Sequence, residues 1–286
     1  MESSIDLRCL RPEDLPAADK LRQAVEWNQT LTDWRRLLAL DPEGCFVAMD
    51  EDQVIGTATT ISFGTDLAWI GMVLVDPTRR NQGIGRLLLN QCLDHLQTKG
   101  VRCIKLDATP AGQILYEKLG FQVEWPLARW MKMEATRPDI ALPTQPAISA
   151  NADDWDEIPE LDRRAFGVDR AILLNRLRED SAHCVIDRES GGDLEGFGFL
   201  REGVNADYIG PVVAKTEEAG KAITGHLLRA SRRSIYWDIP GPSTAASWAA
   251  QLGFTHQRPL VRMYFGKNDA PGIPSQLWAI SDPATG

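Results

Sequence analysis

The residues in this sequence best suited to chemistry lie between Asp66 and Arg86, in the stretch DLAWIGMVLVDPTRRNQGIGR. Arg80-Asn81-Gln82-Gly83-Ile84-Gly85 sets two glycines where the chain turns from a strand into a helix. Backbone N–H groups at a helix start have no partner within the helix, and glycines there leave an anion room to approach. With Arg79, Arg80 and Arg86 alongside, the chemistry such a loop offers is recognition of a diphosphate. The loop alone also fits an ordinary connection with solvated arginines. A Walker loop is excluded because no Gly-Lys-Ser/Thr follows, and a Rossmann fingerprint is disfavoured because Leu88 stands three residues after Gly85. The second chemical group is Tyr116, in Leu115-Tyr116-Glu117-Lys118-Leu119-Gly120-Phe121. Its hydroxyl is either a proton donor or the satisfied tip of a packed ring.

These groups need elements to position them. The apolar run from Leu67 to Val75 suits a strand buried on both faces, and Asp76-Pro77 ends it. Leu87, Leu88, Cys92, Leu93 and Leu96 then recur at helical spacing, which sets the glycines at a helix N-terminus. Upstream, residues 5–10 read as a strand, and Leu15, Ala18, Leu21 and Val25 read as one face of a helix. A second helix is expected from Thr32-Asp33, followed by a strand hairpin over 45–49 and 54–61. Downstream come a strand over 101–106, a short helix over 111–119 and a strand pair over 121–133.

The glycine-bearing loop and the downstream tyrosine, in this order of elements, resemble the GNAT superfamily of acyl-CoA-dependent N-acetyltransferases. The resemblance covers essentially residues 1–135. It implies an α/β fold with a mixed, splayed sheet flanked by helices, and acetyl-CoA as cosubstrate. By that resemblance Met72, Val73, Leu74 and Val75 hold the pantetheine arm, and Arg80, Asn81, Gln82, Gly83, Ile84, Gly85 and Arg86 hold the pyrophosphate. An extended amide-bearing arm pairs naturally with a strand edge, and a diphosphate with a helix N-terminus. Tyr116 matches the family's general acid and also borders the cosubstrate. Many members carry a glutamate in the central strand; Ala68-Trp69-Ile70-Gly71-Met72 offers none. Asp66 and Asp107 are the carboxylates near enough in sequence to act as base, or else they serve turns and caps. The family's substrate pocket implies acceptor contacts from Glu26, Trp27, Asn28 and Trp34, with Trp69 as a further wall. Aromatic faces and carboxylates such as Asp33 suit a small organic cation. Equally, Trp34 belongs to the core, Trp69 simply packs, and Asn28 caps the next helix.

Past 135 the sequence starts again. Leu119-Gly120-Phe121 recurs as Leu252-Gly253-Phe254, and Pro126-Leu127-Ala128-Arg129 as Pro259-Leu260-Val261-Arg262, both at an offset of 133 (253 − 120 and 262 − 129). A proline-bearing linker over 136–147 separates a catalytic unit, 1–135, from a degenerate GNAT-like unit, 148–286. In the second copy Glu217 and Glu218 stand where the first has its glycine loop, and Ala249 stands at the offset from Tyr116. Such a copy is not expected to bind acyl-CoA in the usual way.

Composition sets the outer bounds. The 286 residues are 43% hydrophobic and 25% charged, which describes a globular protein with material for ample cores. A net charge of -9 argues against a nucleic-acid partner. Cys9, Cys45, Cys92, Cys103 and Cys184 show neither paired nor zinc-ligand spacing, so no metal site is expected. The opening residues lack the order of a secretory signal, and no apolar run reaches membrane length, so a cytoplasmic protein without membrane contact is expected. The function expected is transfer of acetyl from acetyl-CoA to a primary amine of a small molecule. The alternatives are an acyl-CoA or metabolite sensor, or a scaffold; oligomeric state is left open.

Overall fold

A computed structural model describes residues 5–133 and 147–286. The first half contains β1 (Asp6–Cys9), α1 (Leu15–Ala24), α2 (Leu31–Leu40), β2 (Phe46–Asp50), β3 (Gln53–Phe63), β4 (Leu67–Val75), α3 (Ile84–Thr98), β5 (Cys103–Ala108), α4 (Pro110–Lys118) and β6 (Gln122–Lys132). The second half repeats that order as β7 (Ile148–Ser149), α5 (Ile158–Phe166), α6 (Ala171–Asp180), β8 (His183–Arg188), β9 (Leu194–Arg201), β10 (Asp207–Ala214), α7 (Glu217–Ala230), β11 (Ile235–Pro240), α8 (Ala245–Gln251) and β12 (Thr255–Gly266). It adds β13 (Leu277–Ala279). Apart from Ala147, the expected linker lies outside the described residues. Among the described residues no helix is long and apolar enough to cross a membrane.

The strands form one mixed sheet in the order β1-β2-β3-β4-β5-β12-β6-β11-β10-β9-β8-β7. The two copies have therefore exchanged their last strands: β12 lies beside β5, and β6 beside β11. β6 and β12 run antiparallel with Leu127 opposite Leu260, so the repeated Pro-Leu-x-Arg segments face each other across a local two-fold. Residues 122–132 make a single strand rather than the expected pair. Pro126 does not interrupt it, because the pairing with β11 starts one residue later, at Leu127. Pro259 likewise stands beyond Val261, the last partner of β5.

Two ion pairs cross the exchange. Arg262 on β12 donates to both oxygens of Asp107 on β5, at 2.8 and 2.9 Å. Arg129 on β6 donates to both oxygens of Asp238 on β11, at 2.8 and 2.6 Å. All four side chains are buried. Arg262 is sandwiched between Trp69 and Trp125, and Arg129 lies over Tyr208 and Tyr236.

The register of β4 prepares the site. Leu67 and Trp69, then Met72 and Leu74, face one core, while Ala68 and Ile70 face the other. One residue is gained between Trp69 and Met72, at a bulge where Met72 takes a φ of +47° and the pairing with β3 shifts. Thr57 Oγ1 donates to the Met72 carbonyl at 2.8 Å and fixes the turned backbone. β4 pairs with β5 in parallel only as far as Trp69 opposite Lys105; beyond the bulge the two strands part. β10 repeats this, pairing with β11 only as far as Ile209 and shifting against β9 between Ile209 and Val212.

Candidate active site

The opening between β4 and β5 is a cavity of about 650 Å³, a size suited to small-molecule binding. Its wall on β4 is Ile70 to Val75, which includes all four strand residues expected to meet the pantetheine. Its base is the start of α3. Gly83 takes a φ of +83°, caps α3 without a side chain, and has open space where a Cβ would stand; Asn81 before it takes a φ of +64°. The N–H groups of Ile84, Gly85 and Arg86 thus have no capping oxygen, the arrangement that suits an anion. Of the expected cradle, Arg80, Asn81, Gly83, Ile84, Gly85 and Arg86 line the cavity, and Gln82 does not. Arg80 and Arg86 are exposed and take no ion-pair partner among the described residues, whereas Arg79 is paired with Asp50.

Tyr116 reaches the cavity from α4, whose first turn is capped by Thr109 Oγ1 accepting from Gly112 N–H. A Cβ at Gly112 would stand 2.9 Å from the Tyr116 ring, so glycine one turn earlier is what lets the ring lie against its own helix. Sequence reasoning passed over Gly112, although its spacing of four from Tyr116 was the signal. The hydroxyl has no hydrogen-bond partner among the described residues. Burial, with Cys92 adding to it, pushes its pKa up to about 12, so it stays protonated.

Asp107 is the one acidic residue among the described lining residues, and its side chain is closed off from solvent with both oxygens accepting from Arg262. Burial pushes its pKa up against the pull of Arg262, and Asp238 and Glu124 push the same way. Asp66 stands elsewhere, contrary to expectation. It is exposed and held by Arg102 at 2.5 Å, at the far end of β4, roughly 20 Å of strand before Met72.

The acceptor set is corrected as well. Trp27 lines the cavity, as does the unforeseen Gln29. Glu26 is exposed outside it, with its carbonyl taken by Asn205. Asn28 is a staple to the second half: its Oδ1 accepts from Asn205 and Ala206 N–H, and its Nδ2 donates to Ala206 O. Thr30, not Asn28, caps α2, exchanging bonds with Asp33. Asp33 is committed to Arg36 and Arg201, so it offers no free carboxylate to a cation. Trp34 is fully buried core. Trp69 is fully buried too; it stacks on Arg262 and its Nε1–H donates to Pro283 O at 3.1 Å.

That last bond marks a wall no sequence pattern announced. Residues 280–286 cross from the second half to the bulge of β4, where Pro283 and Ala284 line the cavity. Ala284 lies so close to Gly71 that a Cβ there would stand 2.5 Å from its carbonyl oxygen. Arg201 holds the segment through Ser281 O at 2.5 Å, and Arg170 through Gly286 O at 2.6 Å.

The second half builds the same opening and fills it. β13 lies between β10 and β11, pairing with Val212 and Val213, the positions that correspond to Val73 and Leu74. Trp278 packs on Gly220 of α7 and its carbonyl accepts from Trp237 Nε1–H at 2.8 Å. At the start of α7, Thr216 caps the helix itself by accepting from Ala219 N–H, with Glu217 and Glu218 in the first turn.

Comparisons with known proteins agree with this duplicated architecture. Residues 8–121 match the acetyltransferase (GNAT) family, and residues 158–279 match the acetyltransferase (GNAT) domain. The chain belongs to the GNAT acetyltransferases. It is 29% identical over 221 residues to the uncharacterized N-acetyltransferase YitH of Bacillus subtilis, covering 77% of each chain. It is 23% identical over 261 residues to the holothin acyltransferase of a Pseudoalteromonas species, covering 90% of this chain and 86% of that one. Among solved structures, a protein of Pyrococcus horikoshii assigned as an acetyltransferase superposes with a TM-score of 0.84 at 23% identity, over 100% of this chain and 97% of that one. A tandem GNAT protein from the clavulanic acid biosynthesis pathway superposes with a TM-score of 0.68 at 17% identity, over 92% and 98%. As a GNAT acetyltransferase the protein is an acyltransferase enzyme of a family that uses acetyl-CoA, with two copies of the family fold in tandem.

Proposed function

We propose that the first half, residues 1–135, transfers the acetyl group of acetyl-CoA to a primary amine of a small molecule by direct attack. The amine nitrogen bonds to the thioester carbonyl carbon, the carbon–sulfur bond breaks, the nitrogen loses a proton and the sulfur gains one. One observation carries the reading: a single cavity is lined by the uncapped start of α3, the freed edge of β4, Tyr116 and Asp107. The first two suit the diphosphate and the amide-bearing arm of CoA. Tyr116 donates to the departing sulfur, and Asp107 accepts from the amine. The acceptor end, bounded by Trp27, Gln29 and the 280–286 segment, supports a small acceptor. Residues 148–286, joined through the linker at 136–147, are read as a unit that binds no acyl-CoA, because β13 occupies the strand edge and Thr216 the helix start.

The test follows free thiol while acetyl-CoA is offered with a panel of amines. Release above background is expected. CoA binding by calorimetry without any release would make the protein a sensor, and absence of CoA binding would remove the reading altogether. A pH profile adds a second check. A tyrosine whose pKa lies near 12 stays a donor, so kcat is expected to show no falling alkaline limb from Tyr116 up to about pH 10. A limb with a midpoint near 8 to 9 that disappears in Tyr116→Phe would contradict the assignment.

A further inference from the structure

Arg258, half-buried, departs from the pattern set by the buried arginines of this chain. Arg22, Arg36, Arg129, Arg170, Arg201 and Arg262 each pair with a carboxylate at 2.6–3.4 Å. The Nε of Arg258 is cut off from solvent and has no hydrogen-bond partner, and its guanidinium forms no ion pair among the described residues. The nearest acid is committed: both Asp238 oxygens accept from Arg129, and Tyr208 Oη donates to one of them at 2.7 Å. Burial, reinforced by the charge of Arg129, opposes the protonated form of Arg258. Arg129 thus takes that carboxylate, and the positive charge left without a bonded partner lies on the residue that lines the cavity.

Its position in the fold says which end of the cavity it serves. Arg258 sits at a break in the β12 register, beyond Val261, which pairs with the last residue of β5. Leu260 next to it on the cavity wall packs with Ile280, whose N–H donates to Asp238 O. Arg258 therefore belongs to the side closed by the 280–284 segment, not to the phosphate cradle of α3. The lining residues placed at that end, Trp27, Gln29, Leu260 and Pro283, are uncharged, and all but Gln29 are apolar.

We infer that Arg258 is the acceptor's anion-binding residue, and that the acceptor is an amine carrying a carboxylate, an amino acid or a close analogue. This rests on the acetyltransferase reading of the same cavity. A guanidinium fork with no partner matches a carboxylate bidentately. One cation among uncharged walls balances a monoanion, whereas a phosphate dianion would leave one charge without a partner there. The group comes from the exchanged strand of the second half, so the half without an open CoA groove supplies the residue that selects the acceptor. A cationic amine without an anion, the substrate class suggested by the tryptophan-rich segment, finds no free carboxylate there, since both oxygens of Asp107 accept from Arg262.

The experiment uses the full chain and its Arg258→Gln and Arg258→Lys variants, each checked by thermal unfolding. Alanine, leucine and phenylalanine are compared with their carboxamides as acceptors of acetyl from acetyl-CoA, following thiol release. Wild type is expected to favour the free carboxylates by about 10- to 100-fold in kcat/KM, mainly through KM. In Arg258→Gln that ratio should fall to about one, with partial recovery in Arg258→Lys. Binding is measured separately, by titrating CoA-loaded protein with the N-acetyl derivatives of the same amino acids and of their carboxamides. Tighter binding of the carboxylates to wild type, lost in Arg258→Gln, supports the assignment even where no amine is turned over. CoA binding without turnover or such a preference overturns both readings. Turnover with equal use of carboxylates and carboxamides overturns only the role of Arg258.

Discussion

Tyr116→Phe is expected to lower kcat by about 10²- to 10⁴-fold, the usual worth of a positioned proton donor, while CoA affinity changes little. The substitution removes one oxygen and leaves the ring, which keeps its packing against Phe121 and Gly112. The fold should therefore be unaffected, and because the hydroxyl has no partner among the described residues, no orphaned group is left behind. That missing partner is the stronger argument for a chemical role. A tyrosine hydroxyl buried in a core ordinarily finds an acceptor, whereas this one opens on a cavity beside the strand edge of β4. The rate is read in single turnover with saturating acetyl-CoA, and affinity by calorimetry with CoA. A kcat within threefold of wild type would reduce Tyr116 to a packing residue.

The features legible in the sequence are those set by neighbouring residues. The apolar run of β4, the proline that stops it, the glycines at the start of α3 and the helical spacing after them all act within a few residues. The same holds for the element order and for the duplication, which the Leu-Gly-Phe and Pro-Leu-x-Arg repeats announce. Strand exchange was not legible, because β5 meets the same kind of strand whether β6 or β12 lies beside it. The two arrangements share one hydrophobic pattern and differ only in which copy supplies the partner. The acceptor site failed for a related reason. Trp34 and Trp69 have the composition of a binding pocket and the burial of a core, and the 280–286 segment that decides between these lies more than two hundred residues away from Trp69. Asp66 looked available because it adjoins β4, yet a strand carries its two ends far apart. Arg258 carried no motif at all; its lack of a partner exists only in the folded chain.

The two crossing ion pairs provide an internal control for the base. Asp107–Arg262 and Asp238–Arg129 share one geometry, a carboxylate on a parallel strand held bidentately by an arginine from the other copy's last strand. Removing one member of a buried pair leaves its partner's charge unbalanced, so Asp107→Asn and Asp238→Asn are each expected to destabilise the fold by about 3–5 kcal/mol in urea unfolding. Their proton affinities nevertheless diverge. Burial raises both, but at Asp238 the guanidinium of Arg129, helped by Arg258 and the Tyr208 hydroxyl, brings the net shift below the ordinary value, while Asp107 ends above it. The lowered Asp238 stabilises the fold above the unfolded carboxylate pKa of about 4, and that contribution is lost as the pH falls through its folded value. The raised Asp107 carries the opposite sign and is the more basic of the two, on a residue that lines the cavity. Measured on folded protein below the unfolding transition, Asp107→Asn is therefore expected to lose turnover by about 10²-fold or more. Asp238→Asn, of similar stability cost, should retain far more of it. Equal losses of turnover in the two variants would assign Asp107 to the architecture of the exchange alone, and the amine's proton would then have to leave by way of solvent.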